Sequence, residues 1–180
     1  MMADPTVELW AIDEVMFQLH GSRCRMWIAP ENQNPVVFHN PLRKNVGYYG
    51  AVRLRDGSFV YQREPFRFNG ETCFRFLKHM RMITARSSRR VVIISDNARY
   101  HHAVLHKEWR EECADRFHLC YLPPYSPELN PIERVWKLTR KMCTHNRYFS
   151  ELDEIPSAVE PQFDQWRQGN DLLRRLCAIS

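Results

Sequence analysis

The sequence lacks any apolar run that approaches the roughly 20 residues a membrane-spanning helix needs, which excludes such a helix within it. Its first residues show no basic stretch followed by an apolar one, so no signal peptide is visible. We therefore expect the chain to act in the cytoplasm.

Internal repeats, low-complexity tracts and long linkers are also missing from the 180 residues. The hydrophobic content of 44% is typical of a folded globular protein and argues against disorder. A chain of this length can bury a sizeable core. We expect a single domain over residues 1–180.

Closely spaced cysteine pairs are absent as well, because the six cysteines are scattered and form no C-x-x-C motif. This pattern favours free, mostly buried thiols in a reducing compartment over a disulfide framework. A zinc site made by Cys113, His118 and Cys120 is an alternative, but its spacing fits no common zinc pattern.

Strand-forming residues dominate the first third of the chain. The predicted strands cover residues 7–17, 25–29, 45–53 and 58–62. Arg55-Asp56-Gly57 is a turn signal, so the last two strands form a hairpin.

Helices alternate with strands in the rest of the chain. Residues 71–83 predict an amphipathic helix that begins at Asn69 or Gly70. Its apolar positions are Phe74, Leu77, Met80 or Met82, and Ile83. Strands follow at 91–94 and 117–122, and helices at 103–113, from Pro131, and around 158–166 and 172–178. This order predicts an α/β fold with a mixed sheet, an antiparallel meander plus parallel strands, flanked by helices; it matches the ribonuclease-H-like fold.

Asp13 lies inside the first predicted strand, among apolar residues. An ionised carboxylate in such a setting needs a partner, a cation or access to water. The alternative is that Asp13 and Glu14 straddle the strand and one of them simply faces solvent.

Asp96 and Glu133 also have structural alternatives to a functional role. Asp96 ends a buried strand, where sites gather in parallel sheets, but it could instead form a turn or cap a helix. Glu133 follows Asn130 and Pro131 at a predicted helix start, so it could be a capping-box glutamate.

Taken together, the carboxylates of Asp13, Asp96 and Glu133 can converge on one point. They would repel one another unless cations lay between them, and Mg²⁺ or Mn²⁺ suits such oxygen donors. Two such ions roughly 4 Å apart can activate the attacking oxygen and stabilise the leaving oxygen in phosphodiester cleavage.

Two motifs carry a family resemblance. Residues 96–101 (DNARYH) look like the D-N-A-x-x-H motif of bacterial insertion-sequence transposases in the mariner superfamily. Residues 121–136 resemble that family's L-P-x-Y-S-P-x-L-N-P-I-E-x-x-W block, and Asp13-Glu14 resembles its first D-E pair. The resemblance spans about residues 7–150 and is loosest over 23–44.

The resemblance implies a DDE transposase with a catalytic and metal-binding triad, carried over as Asp13, Asp96 and Glu133. The implied activity is hydrolytic nicking at transposon ends, then attack of the freed 3′-hydroxyl on target DNA, typically at TA. Two Mg²⁺ or Mn²⁺ ions, a homodimer in the active complex and a bacterial, nucleoid-associated location are implied as well. Around Asp96, His101 could orient a phosphate, a water or Asp96 itself, and Asn97 is expected to support Asp96.

The family normally carries helix-turn-helix DNA-binding domains before the first catalytic strand. Here that strand begins near Val7, so we expect no such domain in this chain. Recognition of transposon ends would come from a separate subunit or upstream reading frame, or else the chain is a fragment.

Basic residues follow Glu133 along the predicted helix. We predict a DNA track formed by Arg134, Lys137, Arg140 and Lys141, which the net charge of +5 permits without establishing it. Lys137 could instead pair with Glu133 at i, i+4.

Other residues are interpreted as structural. Trp136 is predicted to lie in the core, and His102 and His106 to form a solvated or core face rather than a metal pair. Proline is expected to make residues 123–131 a rigid loop that positions the helix of Glu133.

Two functional alternatives stay open at this point. One is a ribonuclease-H-like nuclease without strand transfer. The other is an inactive transposase fragment that serves as a DNA-binding module, although all three acidic residues are present.

Overall fold

The computed structural model of the protein describes residues 4–25, 27–31, 36, 38–86 and 88–179. Within these residues the strands are β1 (Val7–Gln18), β2 (Asn45–Arg53), β3 (Phe59–Glu64), β4 (Arg90–Ser95) and β5 (Phe117–Tyr121). The α-helices are α1 (Gly70–Thr84), α2 (Lys107–Cys113), α3 (Ile132–Thr139), α4 (Glu154–Gln165) and α5 (Asp171–Leu176). A π-helical turn, Arg140–Thr144, directly follows α3.

The strands form a mixed sheet in the order β3-β2-β1-β4-β5. β1, β2 and β3 make an antiparallel meander, whereas β4 runs parallel to β1 and β5 runs parallel to β4. Helices α3, α4 and α5 pack on one face of the sheet, and α1 and α2 pack on the other. The predicted mixed sheet flanked by helices is therefore confirmed.

The central strand β1 supplies side chains to both cores. Leu9, Ala11 and Val15 join the core under α3 and α4, whereas Trp10 and Ile12 join the core under α1. This alternation follows from the two-residue period of a strand. It places Asp13 on the α3 face and Glu14 on the α1 face.

Helix α1 confirms the prediction for residues 71–83. Asn69 caps it by accepting hydrogen bonds from the backbone N–H groups of Glu71 and Thr72, and Thr72 completes a capping box. Its buried face differs in part from the predicted one, because Met82 and Ile83 are exposed. Leu77 and Met80 are buried as predicted, and Thr72, Cys73, Phe76 and Thr84 are buried with them.

The strand predicted for residues 25–29 is wrong for the described part of that segment. Arg25, Trp27, Ile28 and Ala29 are exposed and belong to no strand, and Met26 lies outside the described residues. Apolar composition favours a strand only where a neighbouring strand can pair with it and a core can cover it.

The predicted helix over residues 103–113 is only partly correct. Short 3₁₀ turns cover Arg99–His102 and Val104–His106, and α2 begins at Lys107. His102 is exposed, whereas His106 is buried and its Nε2 lies 3.0 Å from the carbonyl oxygen of Tyr100. The two histidines therefore do not form a metal pair, which agrees with their structural interpretation.

The cysteines are free thiols, of which Cys73, Cys143 and Cys177 are buried. Among the described residues, the group that could hold a metal ion contains neither Cys113 nor Cys120, so the zinc alternative has no support. No helix in the described ranges is both long and apolar enough to cross a membrane.

Candidate active site

Asp13 lies on β1, and Asp96 directly follows the adjacent parallel strand β4. Ala11 of β1 pairs with Ile94 of β4, and each acidic residue follows two positions later. Glu133 lies in the first turn of α3, the helix that packs against β1. The fold thus brings the three predicted residues toward one end of the β1–β4 pair.

Asp13 is a buried carboxyl group with a raised pKa. Burial raises its pKa to about 8, and the negative charges of Glu14, Glu133 and Asp96 add to the effect. Its Oδ2 accepts a hydrogen bond of 3.1 Å from Nε1 of Trp136. Because Glu133 and Asp96 both act on this pKa, the predicted trio shares one electrostatic environment.

The alternative in which Asp13 or Glu14 simply faces solvent is wrong. The Glu14 side chain is 6% exposed and contacts His101, while Asp13 contacts Trp136 of the core. Both faces of β1 are covered by helices or turns, so each carboxylate needs its own polar partners.

Asp96 is more accessible than Glu14, with 42% of its side chain exposed. Its Oδ1 lies 2.9 Å from Nδ1 of His101 and accepts a 3.2 Å hydrogen bond from the backbone N–H of Ala98. The hydrogen bond to His101 lowers the pKa of Asp96 against the effect of burial. Asp96 therefore stays ionised while Asp13 tends to hold a proton.

His101 lies between two carboxylates. Its Nε2 is 3.0 Å from Oε1 of Glu14, and its Nδ1 contacts Asp96 and, at 2.8 Å, the hydroxyl of Ser95. Burial lowers the pKa of His101, but hydrogen bonds to Asp96, Cys73 and Glu14 outweigh it and raise the pKa above its usual value. The favoured form is the imidazolium, which compensates one negative charge.

The capping interpretation of Glu133 is wrong. Pro131, not Asn130, occupies the N-cap position, and no side-chain hydrogen bond caps α3. Asn130 instead donates from Nδ2 to the carbonyl oxygen of Ile12, at 2.9 Å, which fastens the start of α3 beside Asp13. Glu133 is half-buried at this helix start, with its carboxylate left free of a capping role.

The structure brings His101, but not Asn97, to the Asp96 carboxylate. The side chain of Asn97 is exposed and contacts His102 instead. Among the described residues, the metal-capable group whose ligand atoms lie within 4.8 Å of one another consists of Glu14, Asp96 and His101. Asp13 and Glu133 lie near this group without belonging to it.

The donor set fits a hard divalent cation. Asp13, Asp96 and Glu133 offer oxygen atoms, which Mg²⁺ and Mn²⁺ prefer. Glu14 and Asp96 contact His101, and the charges of Glu14, Glu133 and Asp96 act on Asp13. A cation would relieve the repulsion that adds to burial in raising the pKa of Asp13.

The predicted basic residues differ in their surroundings. Lys137 and Lys141 are exposed, and no ion pair of the described residues joins Lys137 to Glu133. Arg140 is half-buried, with its guanidinium 5.8 Å from the ring centroid of Phe17. Arg134 donates to the carbonyl oxygens of Leu176 and Ala178, at 2.9 and 3.0 Å. It therefore links α3 to the chain at the end of α5, which is a structural role.

Gly50 is a site residue that the sequence pattern did not reveal. It pairs with Asp13 across β1 and β2. A Cβ atom at this position would lie 2.2 Å from Cη2 of Trp136, so the glycine makes room for the indole. Trp136 is buried as predicted, but its hydrogen bond to Asp13 was not foreseen. The need for glycine at this position comes from the neighbouring tryptophan ring. The sequence alone does not show it, because it depends on the pairing of β1 with β2.

A groove runs beside Asp96. It is lined by Asp96–Arg99 on one side and by residues 123–127 of the proline-rich loop on the other. Tyr125 in this loop is fully exposed and has a φ of 58°, a backbone conformation that non-glycine residues rarely adopt. The groove adjoins the partly exposed carboxylate of Asp96.

Comparisons with known proteins identify the family of the chain. The sequence profile of the DDE superfamily endonucleases matches residues 8–156. The chain is 26% identical over 147 residues to the insertion element IS630 uncharacterized 39 kDa protein of Shigella sonnei, covering 82% of this chain and 42% of that protein. It is 49% identical over 41 residues to the uncharacterized protein y4pE/y4sA of Sinorhizobium fredii, covering 23% and 30%. The chain thus spans less than half the length of these relatives.

Solved structures of Mos1 transposase share the fold. The Mos1 paired-end complex with the left transposon end superposes with a TM-score of 0.69 at 16% identity, covering 94% of this chain and 51% of that one. The Mos1 catalytic domain gives 0.61 at 15% identity, covering 94% and 74%. These likenesses confirm the ribonuclease-H-like fold. The profile match over residues 8–156 shows that the chain belongs to the DDE superfamily endonucleases.

Proposed function

We propose that this domain hydrolyses phosphodiester bonds at transposon ends and then joins the freed 3′-hydroxyl to target DNA, with TA as the target site. What supports the proposal is that the charges of Glu133 and Asp96 both act on the carboxyl group of Asp13. Burial and the charges around Asp13 raise its pKa to about 8, as expected where carboxylates are gathered to hold cations.

Asp13, Asp96 and Glu133 would hold two Mg²⁺ or Mn²⁺ ions. Mos1 structures have been solved as paired-end complexes with Mn and with Mg, which supports the choice of metal. When bound, such ions activate the attacking oxygen and stabilise the leaving one. On this proposal Asp13 gives up its proton on loading, Trp136 holds its Oδ2, and the start of α3 presents Glu133.

Each proposed chemical step exchanges one P–O bond for another. In the first, a water oxygen bonds to phosphorus, the bond to the 3′ oxygen breaks, and that oxygen leaves as a hydroxyl. In the second, the new 3′-hydroxyl oxygen bonds to a target phosphorus, the target's own 3′ oxygen leaves, and a proton is passed on. Neither step needs an oxidant or reductant.

DNA is the proposed partner, bound along the groove beside Asp96 and over the exposed Lys137 and Lys141. The Mos1 complexes with transposon ends support this partner. We further propose a homodimer in the active complex, recognition of the ends by a separate helix-turn-helix subunit, and action on the bacterial nucleoid in the cytoplasm. Sequence-specific binding of transposon ends by the 180-residue chain alone would contradict the separate subunit.

The test is a pair of assays with the purified chain. Mn²⁺-dependent nicking of supercoiled plasmid measures hydrolysis, and joining of pre-cut transposon-end oligonucleotides to plasmid measures strand transfer. Both activities should disappear in Asp96→Asn and persist in Asp115→Asn, an exposed acidic residue outside the site. Nicking without joining would instead favour a nuclease without strand transfer, and DNA binding with neither activity would favour an inactive binding module.

A further inference from the structure

Glu14 is a buried acidic residue on the α1 face of β1, opposite Asp13. Both of its carboxylate oxygens are engaged. Oε1 lies 3.0 Å from Nε2 of His101, and Oε2 accepts a 2.9 Å hydrogen bond from the Tyr100 hydroxyl. Each oxygen of the Glu14 carboxylate thus contacts a side chain of the turn that carries Tyr100 and His101.

His101 connects Glu14 to Asp96. Its two ring nitrogens point away from each other, and each contacts a different carboxylate, Nε2 facing Glu14 and Nδ1 facing Asp96. One cation cannot face both nitrogens. The Glu14–His101–Asp96 group is therefore a chain of hydrogen bonds and not a single coordination sphere, although its ligand atoms lie close together.

The chain of hydrogen bonds fixes only one side of Asp96. Oδ1 receives the contacts from His101 and from the Ala98 N–H. The carboxylate keeps 42% exposure, which leaves it able to bind a cation on the groove side. Without Glu14, the His101 ring would lose the acceptor at Nε2, and Asp96 would lose a fixed donor; Tyr100 holds that acceptor by donating to its other oxygen.

We propose that Glu14, with Tyr100, is a positioning residue that orients His101 and thereby holds Asp96 in the rotamer that binds metal. This inference rests on the metal role of Asp96 given under the proposed function. Residues that act through a ligand in this way typically change metal affinity by roughly 10- to 100-fold when removed.

The experiment is calorimetric titration of Mn²⁺ into the apo chain and its variants. Glu14→Ala should bind Mn²⁺ roughly 10- to 100-fold more weakly than the unmodified chain. Glu14→Gln, which keeps an acceptor for His101, should recover most of that loss. Tyr49→Phe is the matched control, because it removes a buried hydroxyl that contacts Thr72 on the same face of the sheet without touching His101. It should leave the Mn²⁺ affinity unchanged.

The outcomes separate this inference from the proposed function. If Asp96→Asn binds Mn²⁺ like the unmodified chain, the proposed metal role of Asp96 is wrong. If Asp96→Asn loses Mn²⁺ while Glu14→Ala keeps full affinity, only the positioning role is overturned. If Glu14→Ala fails to fold, Tyr100→Phe replaces it in the test. We expect Tyr100→Phe to bind Mn²⁺ more weakly than the unmodified chain. An unchanged Mn²⁺ affinity in that variant would overturn the inference.

Discussion

The indole of Trp136 donates a 3.1 Å hydrogen bond to Oδ2 of Asp13, and so joins helix α3 to strand β1. The ring occupies the space above Gly50, the residue that pairs with Asp13 on β2. The position of the Asp13 carboxylate and the packing of the core under α3 are therefore coupled.

Replacing Trp136 with Phe should show whether the hydrogen bond to Asp13 affects metal binding in addition to the packing of the core. We expect a loss of about 1–3 kcal/mol in the free energy of unfolding, from the smaller ring and the missing donor. We also expect weaker Mn²⁺ binding, measured by calorimetry. Trp166→Phe in the same core is the control, since that indole packs on Phe59 and Phe163. An equal loss of Mn²⁺ affinity in both variants would contradict the specific role of Trp136.

Substitution of Gly50 by Ala should displace the same indole. The added Cβ would lie 2.2 Å from Cη2 of Trp136, so the ring or β2 must shift, at a cost of about 1–3 kcal/mol measured by urea unfolding. Gly70→Ala is the control. Its Cβ would meet Cβ of Ala103 at 3.0 Å near the start of α1, a looser contact than the 2.2 Å contact at Gly50. Unfolding of Gly50→Ala at the same urea concentration as the unmodified chain would show that the space is not needed.

The elements that the sequence predicted well are those with strong local patterns. The apolar run of β4 and the alternation of β1 specify their strands, and the proline-rich motif places Glu133 at a helix start. Residues 25–29 have a similar composition but no neighbouring strand among the described residues. Pairing is a long-range property, and composition does not report it.

The partners of the site residues could not be predicted for the same reason. Arg134 has the charge and the helix position of a DNA-binding residue, but the chain end after α5 brings carbonyl oxygens to it. Glu14 looked like the neighbour of a predicted catalytic residue, and its contacts come from Tyr100 and His101, which lie 86 and 87 residues later in a turn. Only the fold decides which face of β1 each acidic residue occupies.

The stability of the metal-free chain should fall as pH rises toward 8. The folded-state pKa of Asp13 is about 8 because of burial and neighbouring charges, while its ordinary value is 3.8. Between these values the folded state holds a proton that the unfolded state releases, so the free energy of unfolding declines with pH by up to about 1.4 kcal/mol per unit. The stabilising contribution is fully present below about pH 4 and is lost as pH passes through 8.

Asp13→Asn removes this titration and should flatten the decline between pH 5 and 8 in EDTA. Urea unfolding at each pH provides the comparison. Adding Mn²⁺ should restore stability to the unmodified chain most strongly at the upper end of that range, where Asp13 is ready to lose its proton. Superimposable pH profiles for the two proteins would show that Asp13 has an ordinary pKa.

The exposed lysines beyond Glu133 should set part of the salt dependence of DNA binding. Replacing Lys137 and Lys141 with Gln removes two phosphate contacts, so the slope of log K against log salt should decrease by roughly 1.8. Arg134→Gln and Arg140→Gln each remove one positive charge, and their salt slopes are compared with that of the lysine variant. Arg134→Gln should lower stability and leave the slope nearly unchanged, because its guanidinium binds carbonyl oxygens. An unchanged slope in the lysine variant would rule out the track.

The most direct test of the account is metal-dependent strand cleavage by the single variants Asp13→Asn, Asp96→Asn and Glu133→Gln. Each should reduce Mg²⁺- or Mn²⁺-dependent nicking by roughly a thousandfold or more, since the site supplies several kcal/mol of stabilisation to the transition state. DNA binding should stay close to that of the unmodified chain, and Asp115→Asn should cleave normally. Persistent metal-dependent cleavage by Asp96→Asn would contradict the central claim that these carboxylates form the catalytic site.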